Sequence, residues 1–133
     1  MIRTKSFDEV LQKFREIEFH ETFDIILAVA NGGIIPAAIL NQRLHTNIQL
    51  IKVSLRDANQ KPLYDSPQLV SPIDFDFKDK TILLVEDRIK TGASVQFAIK
   101  QLQGAKLVKT FAVNGPADYS LYNEDCFKFP WLF

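Results

Sequence analysis

The sequence predicts an α/β domain in which helices flank one mostly parallel twisted sheet, and three observations support this fold class. Apolar runs of strand length, such as DIILAVA (24–30) and TILLVED (81–87), show no polar alternation, which is typical of strands buried on both faces. Segments with apolar residues at helical spacing lie between these runs. Glycine- or proline-containing turns separate the two kinds of segment. Right-handed crossovers then place helices on both faces of the sheet.

The individual elements follow from local signals. A first helix is predicted over 7–18, because Ser6 and Glu9 form a capping-box pattern before apolar residues at helical spacing. Pro36 suits the first turn of a second helix, and Ser94 is the predicted N-cap of a third. The remaining predictions are strands at 24–30, 48–54, 81–87 and 106–113 and helices at 36–44 and 94–103.

One long connection interrupts this alternation. Residues 55–79 contain three of the six prolines and have no clear period. A structureless segment of this length is unusual in a compact domain and is often functional, so we expect a flexible loop here. Residues 1–133 are otherwise predicted to form a single domain.

Composition excludes several classes of protein. The chain has 16 basic and 16 acidic residues and no net charge, which argues against nucleic-acid or anionic-membrane partners. Cys126 is the single cysteine, so no internal disulfide forms. The N-terminus MIRTKSFDEV lacks the apolar region of a signal peptide. We therefore expect a soluble cytoplasmic protein.

The stretch EDRIKTGAS (86–94) directly follows a predicted strand. Backbone N–H groups near Gly92, with the hydroxyls of Thr91 and Ser94, would open a helix and suit a phosphate monoester. Glu86 and Asp87 instead suit the hydroxyls of a ribose, and they would stabilise positive charge developing on a sugar ring. The alternative interpretation is a solvated acidic pair followed by a helix cap.

The stretch NGG (31–33) follows another predicted strand. Its glycines allow a ligand to approach the main chain, although a plain β–α turn explains them equally well. Ligands of parallel α/β sheets bind beyond the carboxyl ends of the strands, and both stretches lie at such ends. The two motifs together are therefore more specific than either one alone.

Three segments resemble type I phosphoribosyltransferases. VEDRIKTGAS (85–94) resembles the family motif that binds phosphoribosyl pyrophosphate (PRPP), and VANGGIIPAAIL (29–40) resembles its pyrophosphate loop. PADYSLYNEDCFKFPW (116–131) is similar to the C-terminal hood of the xanthine and hypoxanthine-guanine (purine) branch. The resemblance implies transfer of phosphoribose from PRPP to a heterocyclic, purine-like base, which gives a nucleoside monophosphate and pyrophosphate.

The resemblance also implies roles for individual residues. Glu86 and Asp87 would be the catalytic, ribose-binding pair, with Mg²⁺ entering beside them on PRPP. Residues 55–79 would contain a closing loop, and 114–133 the hood. The 5′-phosphate would be held by Lys90, Thr91, Gly92, Ala93 and Ser94, the pyrophosphate by Asn31, Gly32 and Gly33, and the base by Arg88, Tyr119 and Phe127. Proteins of this family are usually homodimers or homotetramers and serve nucleotide salvage.

Four positions depart from the family pattern. Lys90 replaces an Asp that accepts a proton near the purine, and Asn31 replaces an Arg of the pyrophosphate loop. Asn114 stands where the purine enzymes place a Lys, and Cys126 stands at or next to the place of an aromatic that stacks on the base. All four changes affect the base or the leaving group, whereas the sugar-phosphate motif is intact.

Three functions therefore stay open. The protein is an enzyme whose acceptor is acidic or carbonyl-rich and matches Arg88 and Lys90, or a non-catalytic PRPP- or nucleotide-binding regulatory protein, or an interaction domain without a ligand. The hood aromatics allow two interpretations, base contact or packing in a core or subunit interface. These aromatics are Tyr119, Tyr122, Phe127, Phe129, Trp131 and Phe133.

Overall fold

The computed structural model describes residues 3–54 and 68–132, and it confirms the predicted α/β fold class. A six-stranded, mostly parallel sheet has three helices around it, and a two-stranded sheet lies beside it. No helix within the described ranges is long and apolar enough to cross a membrane. The elements are β1 (Arg3–Thr4), α1 (Phe7–Glu16), β2 (Ile25–Ala30), α2 (Ile34–Leu44), β3 (Asn47–Ser54), β4 (Gln68–Leu69), β5 (Thr81–Arg88), α3 (Ala93–Lys100), β6 (Leu107–Asn114), β7 (Tyr119–Tyr122) and β8 (Phe127–Lys128).

The large sheet has the strand order β4-β3-β2-β5-β6-β7. All neighbouring strands are parallel except β4, which runs antiparallel to the end of β3. β5 lies at the centre and pairs with β2 on one side and β6 on the other. The carboxyl ends of these three strands therefore meet at one edge of the sheet.

Both faces of the sheet are covered, as the uninterrupted apolar strands predict. Val10 and Phe14 of α1 belong to the core cluster on one face, together with Phe111 and Val113 of β6. On the other face, Val95 of α3 belongs to a second cluster with strand residues whose side chains point the opposite way. This double burial holds the central strands rigidly and fixes the positions of the loops that follow them.

The helix ends show which local signals were sufficient. The capping box is confirmed, because Glu9 N–H donates to Ser6 Oγ and Ser6 N–H donates to Glu9 Oε1. The second helix begins at Ile34, two residues before Pro36. The prediction of Ser94 as N-cap is wrong: α3 begins at Ala93 with Gly92 as its N-cap, since Gly92 adopts φ 81°, which a residue without a side chain reaches at no steric cost.

The structure corrects the prediction for part of the long connection. Residues 55–67 lie outside the described residues. Residues 68–79 contain β4, which pairs with β3. Ile73, Phe75 and Phe77 then pack against the core cluster that contains α3. This part of the connection therefore belongs to the packed domain.

The C-terminal segment adds strands that the sequence did not predict. β7 extends the large sheet beside β6, and β8 pairs with β1. Phe127 and Phe129 are buried, and the Phe129 and Trp131 rings stack with centroids 5.2 Å apart. Of the two interpretations of the hood aromatics, packing in the core describes these residues.

Candidate active site

Three loops meet at the carboxyl edge of the sheet and form the candidate site. The first loop, residues 31–33, follows β2. The second, residues 89–92, follows β5, whose last three residues are Glu86, Asp87 and Arg88. The third follows β6 and includes residues 115–118. Because β5 lies between β2 and β6, its acidic pair occupies the centre of this edge.

The acidic pair touches the glycine loop. A Cβ placed on Gly32 would lie 2.6 Å from Asp87 Oδ1 and 2.8 Å from Oδ2, so a larger residue would displace the carboxylate or the loop. A Cβ on Gly33 would lie 2.2 Å from the Val85 carbonyl oxygen. The Ala30–Asn31 peptide bond is cis. The structure thus brings two of the motifs found in the sequence into direct contact.

Glu86 has a strongly perturbed acidity. Burial, followed by the negative charge of neighbouring Asp87, raises the pKa of Glu86 from 4.5 to about 8. Backbone N–H groups partly satisfy the two carboxylates, since Asp87 N–H donates to Glu86 Oε1 at 3.0 Å and Arg88 N–H donates to Asp87 Oδ1 at 2.6 Å. The pair therefore holds a proton at neutral pH, and a cation or hydroxyl donors beside it would favour its full ionisation.

Residues 88–95 surround a cavity of about 240 Å³, the phosphate cavity, which Glu86 also lines. Lys90, Thr91 and Ser94 face it, and the first turn of α3 opens onto it. Ala93 N–H donates to Thr91 Oγ1 at 3.3 Å, which orders the turn. Free N–H groups at a helix start, hydroxyls and an ammonium group suit an anion. All five residues predicted to hold a 5′-phosphate line this cavity.

A second cavity, of about 540 Å³, lies on the other side of the glycine loop. Asn31 lines it together with Lys52 of β3. Lys52 is in register with Ala30, the last residue of β2, so its backbone lies beside the start of the glycine loop. Lys52 was missed at the sequence level, although the rule that ligands bind beyond strand ends applies to β3 as well.

A third cavity, of about 260 Å³, lies between the loops after β5 and β6; we call it the acceptor cavity. Arg88 and Lys90 line both this cavity and the phosphate cavity, so the two share a wall. Glu124 and Cys126 line its hood side. The sequence did not single out Glu124, and nothing in its local pattern marks it.

Asn114 has a structural role at this cavity. Its amide nitrogen donates to the carbonyl oxygens of Glu124 (3.2 Å) and Asp125 (3.4 Å), and its Oδ1 accepts from Glu124 N–H (3.0 Å). The residue is only 3% exposed. Its amide is therefore occupied by the hood backbone, and it fixes the shape of the loop at residues 123–126.

Two of the predicted base-binding residues lie away from the acceptor cavity. Tyr119 donates its hydroxyl hydrogen to the Glu21 carboxylate, accepts from His20 N–H, and packs edge-on against Phe19. Phe127 is fully buried. Cys126, one residue earlier, is the residue that faces the cavity. The structure therefore gives Tyr119 and Phe127 packing contacts and leaves Arg88 as the predicted base-binding residue that reaches the cavity.

Sequence comparison identifies the family. A profile described as "Phosphoribosyl transferase domain" matches residues 4–124. The chain belongs to this family. The predicted membership of the phosphoribosyltransferase family is thereby confirmed. The resemblance to the purine branch agrees with a xanthine-guanine relative and with a solved purine phosphoribosyltransferase, and solved structures of phosphoribosyltransferases confirm the fold.

Two phosphoribosyltransferases show sequence similarity to the chain. The xanthine-guanine phosphoribosyltransferase of Idiomarina loihiensis is 29% identical over 93 residues, which cover 69% of this chain and 56% of that protein. The orotate phosphoribosyltransferase of Pyrobaculum islandicum is 27% identical over 96 residues, covering 72% and 46%. The chain thus spans about half the length of these phosphoribosyltransferase relatives.

Solved structures share the fold. The purine phosphoribosyltransferase of Pyrococcus horikoshii superposes with a TM-score of 0.76 and 27% identity, covering 93% of this chain and 88% of the other. A hypothetical protein of Neisseria gonorrhoeae with bound ppGpp gives a TM-score of 0.72 at 18% identity, covering 98% and 90%. At that lower identity the likeness concerns the fold alone.

Proposed function

We propose that the protein transfers phosphoribose from PRPP to a heterocyclic, purine-like base and releases pyrophosphate. The observation that carries this proposal is the contact between the Asp87 carboxylate and Gly32. In this proposal the acidic pair binds the ribose, between the phosphate cavity at the start of α3 and the glycine loop. That order matches the order of the 5′-phosphate, ribose and pyrophosphate in PRPP.

The phosphate groups of PRPP have two separate sites in this proposal. The turn from Lys90 to Ser94 holds the 5′-phosphate through backbone N–H groups and hydroxyls. Gly32 and Gly33 allow the pyrophosphate to approach the main chain beside Asn31. Lys52 supplies the positive charge that Asn31 lacks, because both side chains line the same cavity. The two sites lie on opposite sides of the acidic pair.

The acidic pair carries the chemistry. Glu86 and Asp87 accept hydrogen bonds from the ribose hydroxyls and face the sugar ring. As the bond between C1′ and the pyrophosphate oxygen breaks, positive charge spreads over C1′ and the ring oxygen. Fixed carboxylates stabilise that charge more in the transition state than in the ground state, which is the condition for catalysis. A base nitrogen then forms the new bond to C1′.

The donor set suits Mg²⁺ that arrives with PRPP. In the described part of the chain, no group of three or more His, Cys, Asp or Glu side chains could hold a metal ion. Mg²⁺ commonly takes one or two protein carboxylates and completes its shell with substrate oxygens and waters, and Glu86 and Asp87 fit that requirement. When bound, the ion would neutralise charge on the pyrophosphate leaving group.

The decisive test combines turnover and binding in one protein sample. Pyrophosphate release from PRPP and Mg²⁺ is measured against a pool of purine and pyrimidine bases, with PRPP-induced thermal stabilisation recorded in parallel. We expect release in wild type and a loss of about 10²–10³-fold in kcat/KM in Asp87→Asn. Asp76→Asn, a change of an exposed carboxylate that accepts from Lys78 N–H, is the matched control.

The outcomes separate the candidate functions. If Asp87→Asn bound PRPP and turned over as wild type does, the ribose assignment would be wrong. Stabilisation without release favours the second candidate, a PRPP- or nucleotide-binding regulatory protein. Lys90 supports that candidate, because it replaces the expected proton acceptor. A folded sample that shows neither pyrophosphate release nor PRPP-induced stabilisation would reject both candidates.

A further inference from the structure

We propose that the acceptor cavity selects a heterocycle that is already an anion at neutral pH, such as one with a carboxylate substituent or an acidic ring N–H. The proposal rests on the proposed function, since the acceptor cavity is taken to receive the base. It narrows the substrate to a chemical class. The argument comes from the charged groups that line the cavity and from the partners of each.

Lys90 is the first of these groups. It lines the acceptor cavity and the phosphate cavity, so it lies where the acceptor and the sugar would meet. An ammonium group donates three hydrogen bonds and has no lone pair with which to accept a proton. Lys90 therefore attracts negative charge on the acceptor and cannot remove the ring proton of a neutral base.

Arg88 is the second of these groups. Within residues 3–54 and 68–132 no carboxylate pairs with its guanidinium group. One terminal nitrogen donates to the Phe127 carbonyl oxygen at 2.8 Å, and the group lies 4.9 Å from the centre of the Phe129 ring. Its Nε is buried and has no hydrogen-bond partner among the described residues. A buried donor without a partner is costly, and an anion in the adjacent cavity would offset part of that cost.

The remaining polar groups in the lining carry less charge than these two cations. Glu124 carries the only carboxylate among the described residues that line the acceptor cavity, and its Oε1 lies 3.0 Å from Lys5 Nζ. The amide of Asn114 is bonded to the hood backbone. Cys126 contributes a small thiol. Positive charge therefore dominates the cavity.

This charge distribution fits the chemistry of an anionic acceptor. A neutral base must lose a ring proton as its nitrogen bonds to C1′, and that loss needs a general base. An acceptor whose ring N–H is already ionised brings an available electron pair on nitrogen. The N–C1′ bond forms, the C1′–O bond breaks, and pyrophosphate leaves with the electron pair of that bond. Such an acceptor has no ring proton to lose. An acceptor with a carboxylate substituent is held by the two cations, and its ring proton passes to an oxygen of the departing pyrophosphate.

The test compares matched acceptors and matched variants. Initial rates of pyrophosphate release are measured for orotate against uracil and for xanthine against hypoxanthine. We expect the anionic or more acidic member of each pair to have a kcat/KM at least about tenfold higher, the size of one screened charge contact. Lys90→Gln should lower that ratio about tenfold, whereas Lys90→Arg, which keeps the charge, should retain it.

A binding measurement distinguishes this inference from the proposed function. Titration calorimetry compares orotidine 5′-monophosphate with uridine 5′-monophosphate, which share the ribose phosphate and differ in the carboxylate. Tighter binding of the orotidine nucleotide without any turnover supports the inference and rejects transfer. Turnover with equal use of both members of each pair supports transfer and overturns the inference. The inference is also overturned if Lys90→Gln leaves the kcat/KM ratio of the paired acceptors unchanged, or if the two nucleotides bind equally well.

Discussion

The two sides of the acidic pair differ in the groups that they present to a ligand. On the phosphate side, residues 31–33 and 90–94 present main chain: glycines, N–H groups and the start of a helix. On the acceptor side, the cavity between the loops after β5 and β6 presents side chains, above all Arg88 and Lys90. Residues 91–94 and the two glycines keep the residue types of the family motifs, whereas Asn31 and the acceptor side depart from the family pattern.

This difference follows from how each chemical group is recognised. A phosphate group is recognised by backbone N–H groups whose positions depend on the path of the chain and hardly on side-chain identity. An acceptor base is recognised by side chains, which change without disturbing the chain path. In the proposed function, the phosphate side therefore determines that the protein binds the phosphate groups of PRPP, and the acceptor side determines which acceptor it uses.

The largest expected effect on PRPP binding comes from Gly32→Ala, on the phosphate side. The added methyl group would lie within 2.8 Å of the Asp87 carboxylate, so the loop or the carboxylate must move. We expect PRPP affinity to fall at least about tenfold, since overpacking of this kind costs about 1–3 kcal/mol. Calorimetric titration with PRPP and Mg²⁺ measures the effect.

Gly104→Ala is the matched control for this substitution. Gly104 has φ 100°, and a Cβ added there would meet nothing within 4 Å, so alanine strains the backbone far from the site. It should lower the melting temperature and leave PRPP affinity unchanged. Unchanged PRPP affinity in Gly32→Ala would show that the glycine–carboxylate contact has no part in binding.

A smaller effect is expected from Asn114→Ala, which tests whether the acceptor side can be changed without loss of PRPP binding. The variant leaves Glu124 N–H and two hood carbonyls without their partner, at a cost of about 1–3 kcal/mol. We expect a lower melting temperature and a several-fold higher KM for the acceptor, with PRPP-induced stabilisation retained. Asn47→Ala, at an exposed position of β3, serves as control. Loss of PRPP binding in Asn114→Ala would contradict a separation of the two sides.

The smallest effect concerns pH. The folded protein holds a proton on Glu86 with a pKa of about 8, compared with 4.5 for an ordinary glutamate. The folded state therefore binds more protons than the unfolded state, and the stability of the fold decreases as pH rises from about 4.5 to about 8. Glu86→Gln stays neutral, so its melting temperature should exceed that of wild type by a few degrees above pH 8 and converge with it near pH 4.5. Parallel melting curves would contradict the raised pKa.

The sequence predicted the parts of the molecule that depend on local pattern. The capping box at Ser6 and Glu9 and the central apolar strands needed only neighbouring residues. The alternating apolar residues Ile73, Phe75 and Phe77 also carried a local signal, a period of two, which was overlooked inside a proline-rich segment. Location in the cytoplasm and assembly into homo-oligomers stay predictions.

Contacts between distant residues were not predictable. The role of Tyr119 depends on Glu21, 98 residues away, and the burial of Phe127 depends on strand β8, whose partner is β1. The N-cap of α3 was misplaced for a different reason. A serine is the commoner N-cap, but the left-handed conformation of Gly92 let the helix begin one residue earlier.

The wall between the phosphate cavity and the acceptor cavity has a consequence for how such a protein evolves. Ile89 N–H donates to the Asn114 carbonyl oxygen, and Gly115 packs against the Ile89 carbonyl so closely that a Cβ would lie 2.2 Å from it. These backbone contacts between the loops after β5 and β6 therefore fix the distance between the two cavities. Under the proposed function, mutations at Arg88, Lys90 or Cys126 would exchange one acceptor for another while the sugar stays in place, so new specificities would lie a few substitutions apart on an unchanged scaffold.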